Sequence, residues 1–279
     1  MSTQSPRTPP GHKPRGLLTA FLDLPNDSTV KTLIVALLLC LVCSALVSTA
    51  AVRLKPLQMA NQELDKKMNI LEATGLLREG TSPDELFEQQ ITARVVDLAT
   101  GDYVESIDPR QYDQYAAAKD PAQSITIPAD RDIAQIRRRA KYATVYLHEE
   151  DDKIKYFILP IHGYGLWSTM YGFLVLEGDA STVFGILYYD QRETAGLGSE
   201  VANPDWQAKW QGKLVYDHSG KPRIEVIKGT VAANDPEAKY RVDGIAGATL
   251  TANGVTHMIH YWLGDDGFGP YLRKFRSKA

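Results

Sequence analysis

Cysteine is almost absent from this 279-residue chain, which contains only Cys40 and Cys43. A scaffold held together by disulfides is therefore excluded. Glycine and proline number 21 and 15, too few for a collagen-like or low-complexity protein. Basic residues are not in excess, because 31 Lys and Arg stand against 34 Asp and Glu and the net charge is −3. We therefore expect no nucleic-acid partner, and one or two folded domains with a sizeable core.

The sequence signatures of several enzyme classes are also missing. Gly163 and Gly165 are not followed by the third glycine of a dinucleotide-binding fingerprint. Walker-type phosphate loops, HExxH helices, paired CxxC motifs and GxSxG elbows do not occur. His257 and His260 have no acidic or cysteine partner nearby in the sequence, so we predict ordinary helix residues and no metal site. The chain is expected neither to bind NADH nor to hydrolyse a bond, and no catalytic residue is assigned.

One long apolar run is present at residues 32–52, without charge, proline or glycine. As a helix its length is about 31 Å, enough to cross the hydrocarbon core of a bilayer. Lys31 and Arg53 bracket the run and can reach the headgroups. The alternative is a signal peptide cleaved after Ser48-Thr49-Ala50, but the leader before the run is long and the run exceeds roughly 15 residues. We predict an uncleaved transmembrane helix with the lipid bilayer as its partner.

The predicted span divides the chain into an N-terminal segment 1–31, the helix 32–52 and a domain 53–279. Three Lys or Arg lie within twenty residues before the span and four after it, so charge leaves the orientation open. The domain contains no cysteine, which is compatible with an oxidising compartment. Cys40 and Cys43 share one face of the helix, and we interpret them as small apolar residues.

The composition of the domain indicates the α+β class. Strands are predicted where β-branched and aromatic residues cluster, at Tyr142–Leu147, Ile154–Leu159, Gly172–Glu177 and Val183–Tyr189, with shorter ones at Lys213–Tyr216 and Arg223–Ile227. Helices are predicted at Pro56–Leu77, after Thr81-Ser82-Pro83, and at Val255–Leu263 before Gly264. Asp108–Asp132 is interpreted as a long surface loop. We expect an antiparallel sheet with flanking helices after a single transmembrane helix.

The segment before the last predicted helix, Arg241–Gly254, is rich in glycine and alanine. Thr249 and Thr251 place hydroxyls where that helix begins, and the free amides and the helix dipole there favour a phosphate. The simpler interpretation from composition is that Thr251 only caps the helix.

The sequence Asp243-Gly-Ile-Ala-Gly-Ala-Thr249 resembles the Asp-x-x-Ser/Thr-Gly-Ala-Thr motif of the covalent FMN-binding domain family. In that family a flavin transferase moves FMN from FAD to the last threonine and forms a phosphoester. The resemblance implies covalent FMN on Thr249, a cofactor-binding motif that includes Asp243, Gly247 and Ala248, and a flavin transferase as a partner. Ala246 stands where the family has Ser or Thr.

Three further blocks resemble the family of C subunits of the Na⁺-translocating NADH:quinone reductases. They are Met68–Leu76, Pro160–Gly172 and Gln191–Gly198, and the last is similar to a Glu-Thr-Pro-Gly-Leu-Gly loop with Ala195 in place of proline. This resemblance implies a single-pass protein of the inner membrane with a periplasmic domain and an FMN-binding region at about 160–265. It also implies partners in the other subunits of the reductase.

The function implied is that of a subunit of NADH:ubiquinone reductase (Na⁺-transporting), which relays electrons through FMN while another subunit oxidises NADH. The flavin ring is expected to contact residues of one strand and one loop: Leu176, Glu193, Thr194, Gly196 and Leu197. Trp167 and Tyr171 are candidate neighbours of the ring. Two alternatives are a flavoprotein like the G subunit of the ion-pumping ferredoxin:NAD oxidoreductase, and an anchored binding module without redox function.

Overall fold

The computed structural model describes Pro25, residues 28–78 and residues 80–276. Most of the predicted N-terminal segment 1–31 therefore lies outside the described residues. The chain forms two compact units, one up to Gln62 and the other from Glu63 onward.

The first helix, α1, spans Thr29–Ala73 and has 45 residues. Its apolar part reaches a mean hydropathy of 2.7, and within the described chain it is the one helix long and apolar enough to cross a membrane. Cys40 and Cys43 are exposed on it. The predicted transmembrane segment lies inside this helix.

The helical stretch predicted at Pro56–Leu77 is present as far as Ala73 and is continuous with the transmembrane segment, since α1 continues through Pro56. Its end is set by Gly75, which has a φ of +66°. The amide of Gly75 donates to the Glu72 carbonyl and that of Leu76 to the Leu71 carbonyl. This is a Schellman ending, and it explains why the helix stops before Leu77.

The domain contains five further helices and nine strands among the described residues. The helices are α2 (Pro83–Gln90), α3 (Gln114–Lys119), α4 (Pro204–Gln207), α5 (Thr249–Leu263) and α6 (Gly269–Arg276), with 3-10 turns at Gly198–Ala202, Ala208–Trp210 and Ala238–Tyr240. The strands are β1 (Ile91–Asp97), β2 (Ser124–Thr126), β3 (Arg138–Ala140), β4 (Tyr142–Glu150), β5 (Lys153–Tyr164), β6 (Thr169–Glu177), β7 (Val183–Asp190), β8 (Glu225–Val226) and β9 (Arg241–Val242).

The main sheet is antiparallel with strand order β1-β4-β5-β6-β7. The four central predicted strands are confirmed, and the α+β class with them. Strand β1 was not predicted, although Ile91, Ala93 and Val95 alternate with polar residues as in a half-buried strand. Helix α6 was also not predicted.

Each face of the sheet has its own apolar core. On one face β5 and β6 pack against α5 and α6 through fully buried side chains that include Phe157, Leu174, Trp262 and Leu272. On the other face Ile158 and Phe173 pack against Ile70 and Leu71 of α1 and Phe87 of α2. Helix α5 is thereby fixed directly on the sheet.

Strands β4 and β5 separate before the end of β5, although β4 itself continues to Tyr142 beside β1. Pairing between the two ends at Tyr146 opposite Ile158, whereas β5 stays paired with β6 as far as Tyr164 opposite Thr169. The end of β5 that has left β4 approaches α5 so closely that a Cβ on Gly163 would lie 2.8 Å from the Cβ of Met258. The turn after β5 is therefore held beside α5.

Two sequence expectations differ from the structure in this domain. The short strands predicted at Lys213–Tyr216 and Arg223–Ile227 form only in part. Their backbone groups bond to several different segments, and only isolated bridges and the two-residue β8 result. The predicted surface loop Asp108–Asp132 contains α3 and β2, because the Asp113 carboxylate accepts from the amides of Tyr115 and Ala116 and starts a helix.

Candidate functional site

Thr249 is the first residue of α5 and is exposed. Ala248 precedes it as the N-cap residue and offers no side-chain acceptor to the helix amides. Among the described residues no hydrogen bond engages the Thr249 hydroxyl. A free hydroxyl therefore lies at the positive end of a 15-residue helix.

Thr251 does not cap the helix, so that expectation was wrong. The helix begins two residues earlier, and Thr251 is buried in its first turn at 1% exposure. Its hydroxyl donates to Oε2 of Glu193 at 2.6 Å. Thr249 and Thr251 therefore differ sharply, because one hydroxyl is accessible and the other is enclosed and engaged.

The Glu193 carboxylate lies buried between two segments. Besides the Thr251 hydroxyl, it accepts from the amides of Leu166, Trp167 and Ser168, with Oε1 distances of 3.2, 3.0 and 3.3 Å. Burial alone would raise the pKa of Glu193, but these hydrogen bonds from Thr251 and the amides outweigh it, and the pKa is lowered. The carboxylate is therefore charged at neutral pH and ties the turn after β5 to the start of α5.

The loop after β7 folds against the start of α5. Gly247 has a φ of +72°, and a Cβ there would lie 2.8 Å from Cδ2 of Leu197. The loop residues Thr194, Gly196 and Leu197 are exposed. These residues and Thr249 thus border one open surface.

Asp243 holds the segment before the helix in place. Its Oδ2 accepts from Nζ of Lys209 at 2.8 Å and its Oδ1 from the amide of Val231 at 2.8 Å. These bonds, that of Lys209 first, lower the pKa of Asp243. Its carbonyl accepts from Nε1 of Trp206 at 2.9 Å. Asp243 therefore accepts three hydrogen bonds from the protein. Ala248, the residue before Thr249, is buried.

The structure does not bring Leu176 to this site. Leu176 is fully buried at the end of β6 that pairs with Phe157, six residues or about 20 Å along the strand from Met170 beside Gly165. Tyr171 is also directed elsewhere, because its ring stacks on His162 at 5.6 Å. Neither residue borders the surface around Thr249.

Large apolar side chains are exposed on the segments that surround Thr249. Trp167 is 65% exposed and Leu250 60%, with Leu166 and Leu197 at 37% and 41%. Sequence reasoning missed Leu166 and Leu250. Leu250 could have been found, because it lies off the buried stripe of α5 at Val255, Met258 and Trp262. These exposed side chains are therefore candidates for a binding surface.

The site lies in a region of known class. A family model described as an FMN-binding domain matches residues 165–264. The C subunit of the Na⁺-translocating NADH-quinone reductase of Pseudomonas aeruginosa is 51% identical over 255 residues, 90% of this chain and 98% of that protein. The corresponding subunit of Vibrio vulnificus is 52% identical over 252 residues, 90% and 97% of the two chains. The crystal structure of NqrC from Shewanella oneidensis is similar with a TM-score of 0.72 and 30% identity, over 78% of this chain and 99% of that one.

The chain therefore belongs to the family of C subunits of the Na⁺-translocating NADH-quinone reductases. This confirms the resemblance drawn from the motifs and favours it over a flavoprotein of the ferredoxin:NAD oxidoreductase type.

Proposed function

We propose that the chain is the membrane-anchored flavoprotein subunit of a Na⁺-translocating NADH:quinone reductase and relays electrons through FMN joined to Thr249 by a phosphoester. The observation that carries this proposal is the exposed Thr249 hydroxyl at the start of α5, bordered by exposed apolar side chains. The other subunits of the reductase are its partners, and a flavin transferase is required for its maturation.

The residues around Thr249 fit a phosphate. The first amides of α5 receive no side-chain acceptor from Ala248, so they are available to phosphate oxygens, and the helix dipole adds to the attraction. Gly247 has no side chain that could cover the adjacent backbone. A Cβ at this position would collide with Leu197. Thr249 serves as the attachment point and moves no proton during electron transfer.

The exposed apolar residues fit the aromatic part of the cofactor. Bound FMN supplies one- and two-electron redox chemistry. Leu166, Trp167, Leu197 and Leu250 offer an apolar surface to its ring and exclude water from it. Thr194, Gly196 and the Glu193 segment form the border of that surface. Asp243, held by Lys209, keeps the attachment segment in place.

The mass of the peptide that contains Thr249 tests this proposal. In chain matured with the transferase, we expect an increase equal to FMN less one water, located on Thr249. An unmodified peptide and no flavin colour after denaturation would instead favour the anchored binding module without redox function.

The flavinylated full-length chain is expected not to oxidise NADH at an enzyme-like rate, because it lacks a dinucleotide-binding fingerprint. Steady-state absorbance at the NADH band measures this in detergent-purified chain. Sustained turnover without other subunits would contradict the assignment of NADH oxidation to a partner.

We also propose that α1 anchors the chain in the inner membrane, with its N-terminus cytosolic and the domain in the periplasm. The apolar part of α1 supports this, as does the absence of cysteine beyond it. The intact mass of the membrane-extracted chain is therefore expected to include residues 32–52. A mature N-terminus near Ala51 would show that the segment is a cleaved signal peptide.

A further inference from the structure

We infer that Glu193 is a positioning residue, which places the turn 165–168 against the first turn of α5 so that Trp167 and Leu166 face the flavin on Thr249. This inference rests on the proposed function. It assigns to Glu193 a role through its neighbours instead of the direct ring contact that the sequence analysis expected.

The hydrogen bonds of Glu193 support a positioning role. Its carboxylate joins two segments that are distant in sequence, through three amides of the turn 165–168 and through the hydroxyl of Thr251. None of these four donors is a charged side chain. A buried carboxylate that is stabilised only by hydrogen bonds from neutral groups is costly when any of those donors is lost. The carboxylate therefore favours the positions that both segments have.

Two glycines make room for this carboxylate. A Cβ on Gly165 would lie 2.6 Å from Oε1 of Glu193, and a Cβ on Gly198 would lie 2.6 Å from the Thr251 hydroxyl and 2.8 Å from Oε2 of Glu193. Gly165 also closes the turn, because its amide donates to the Ser168 carbonyl at 2.8 Å. The backbone on both sides is thus fitted to the carboxylate.

Trp167 and Thr249, which would both contact the flavin, are connected to the Glu193 carboxylate. Trp167 is 65% exposed, yet its amide is bonded to Glu193. Thr249 lies two residues before Thr251 in the same helical turn. The Glu193 carboxylate therefore links the apolar surface on the turn to the attachment point on the helix, in addition to the close packing of α5 against Gly163 and Tyr164.

The experiment compares the full-length holoprotein with Thr251→Val, Thr251→Ser and Glu193→Gln variants, all matured with the transferase. Valine has the shape of threonine without the hydroxyl, serine keeps the hydroxyl, and glutamine keeps the size of glutamate without its charge. Covalent FMN is measured by peptide mass, folding by far-ultraviolet circular dichroism, and ring placement by the visible circular dichroism and fluorescence anisotropy of the flavin.

Thr251→Val and Glu193→Gln are expected to carry FMN on Thr249 in wild-type amounts but to lose more than half of the visible circular dichroism, with lower anisotropy. Thr251→Ser is expected to keep both signals. Unchanged flavin signals in folded Thr251→Val and Glu193→Gln would overturn the inference. It would also be overturned if both variants failed to fold, or folded without FMN, because Glu193 would then act on the fold or on attachment. Absence of FMN from the wild type would instead overturn the proposed function.

Discussion

Thr249→Ala is expected to carry no covalent FMN and to fold like the unchanged chain. The substitution removes the only accessible hydroxyl in the first turn of α5, since Thr251 is buried and bonded to Glu193. Thr249 is exposed and packs no core, so its loss costs the fold little. In-gel flavin fluorescence of the denatured protein measures attachment, and far-ultraviolet circular dichroism measures folding.

Two variants serve as controls for this result. Thr249→Ser should still accept FMN, because the phosphoester needs only an alcohol. Thr251→Ala should retain covalent FMN but lose about 1–3 kcal/mol of unfolding free energy, because Oε2 of the buried Glu193 carboxylate loses its shortest hydrogen bond and keeps only that from the Leu166 amide. Flavin fluorescence in Thr249→Ala together with none in Thr251→Ala would move the attachment site to Thr251.

Gly254→Ala is expected to lower the free energy of unfolding by roughly 1–3 kcal/mol through overpacking. In an ordinary helix interior the same change raises it by about 0.5–1 kcal/mol. The sign is reversed here because a Cβ on Gly254 would lie 2.5 Å from the carbonyl oxygen of Tyr164 and 3.1 Å from Cα of Gly165. Both contacts are with backbone, so α5 must move away from the turn after β5. Chemical denaturation of the detergent-solubilised chain provides the measurement.

The adjacent Asn253→Ala is the matched control, because Asn253 is exposed on the same helix. Alanine has the higher helix propensity, so this variant should be as stable as the parent or slightly more stable. If Gly254→Ala were also stabilising, the close approach of α5 to Tyr164 would not exist in solution.

Local patterns in the sequence were sufficient for the central sheet and for α5. Strands β4 to β7 follow from runs of β-branched and aromatic residues, and Val255, Met258 and Trp262 give the buried stripe of the helix. The boundary of that helix could not be predicted equally well. Threonine is a favoured capping residue, but the Thr251 hydroxyl donates to Glu193, 58 positions away, and therefore does not cap the helix.

The site could be predicted only where its residues are adjacent in sequence. The motif at Asp243–Thr249 was found because it is continuous. The environment of Glu193 depends on a turn about 27 positions earlier and on a helix after it, and no local pattern predicts such a meeting. Leu176 was wrongly expected at the site because a sequence does not show which end of a strand lies beside a distant loop. The sheet register places Leu176 at the end of β6 opposite to the turn 165–168.

The last turns of α1 determine where a soluble fragment of this protein has to begin. Ile70 and Leu71 are fully buried beneath the sheet, and the compact domain starts at Glu63, ten residues after the predicted boundary at 53. A fragment that starts at Thr74 would lose about 1.5–3 kcal/mol of unfolding free energy for each of these two side chains. It would also expose Phe87 and Phe173 to water. A fragment that starts shortly before Glu63 would retain that cover, together with the contact of Lys67 to Asp84 at 2.7 Å.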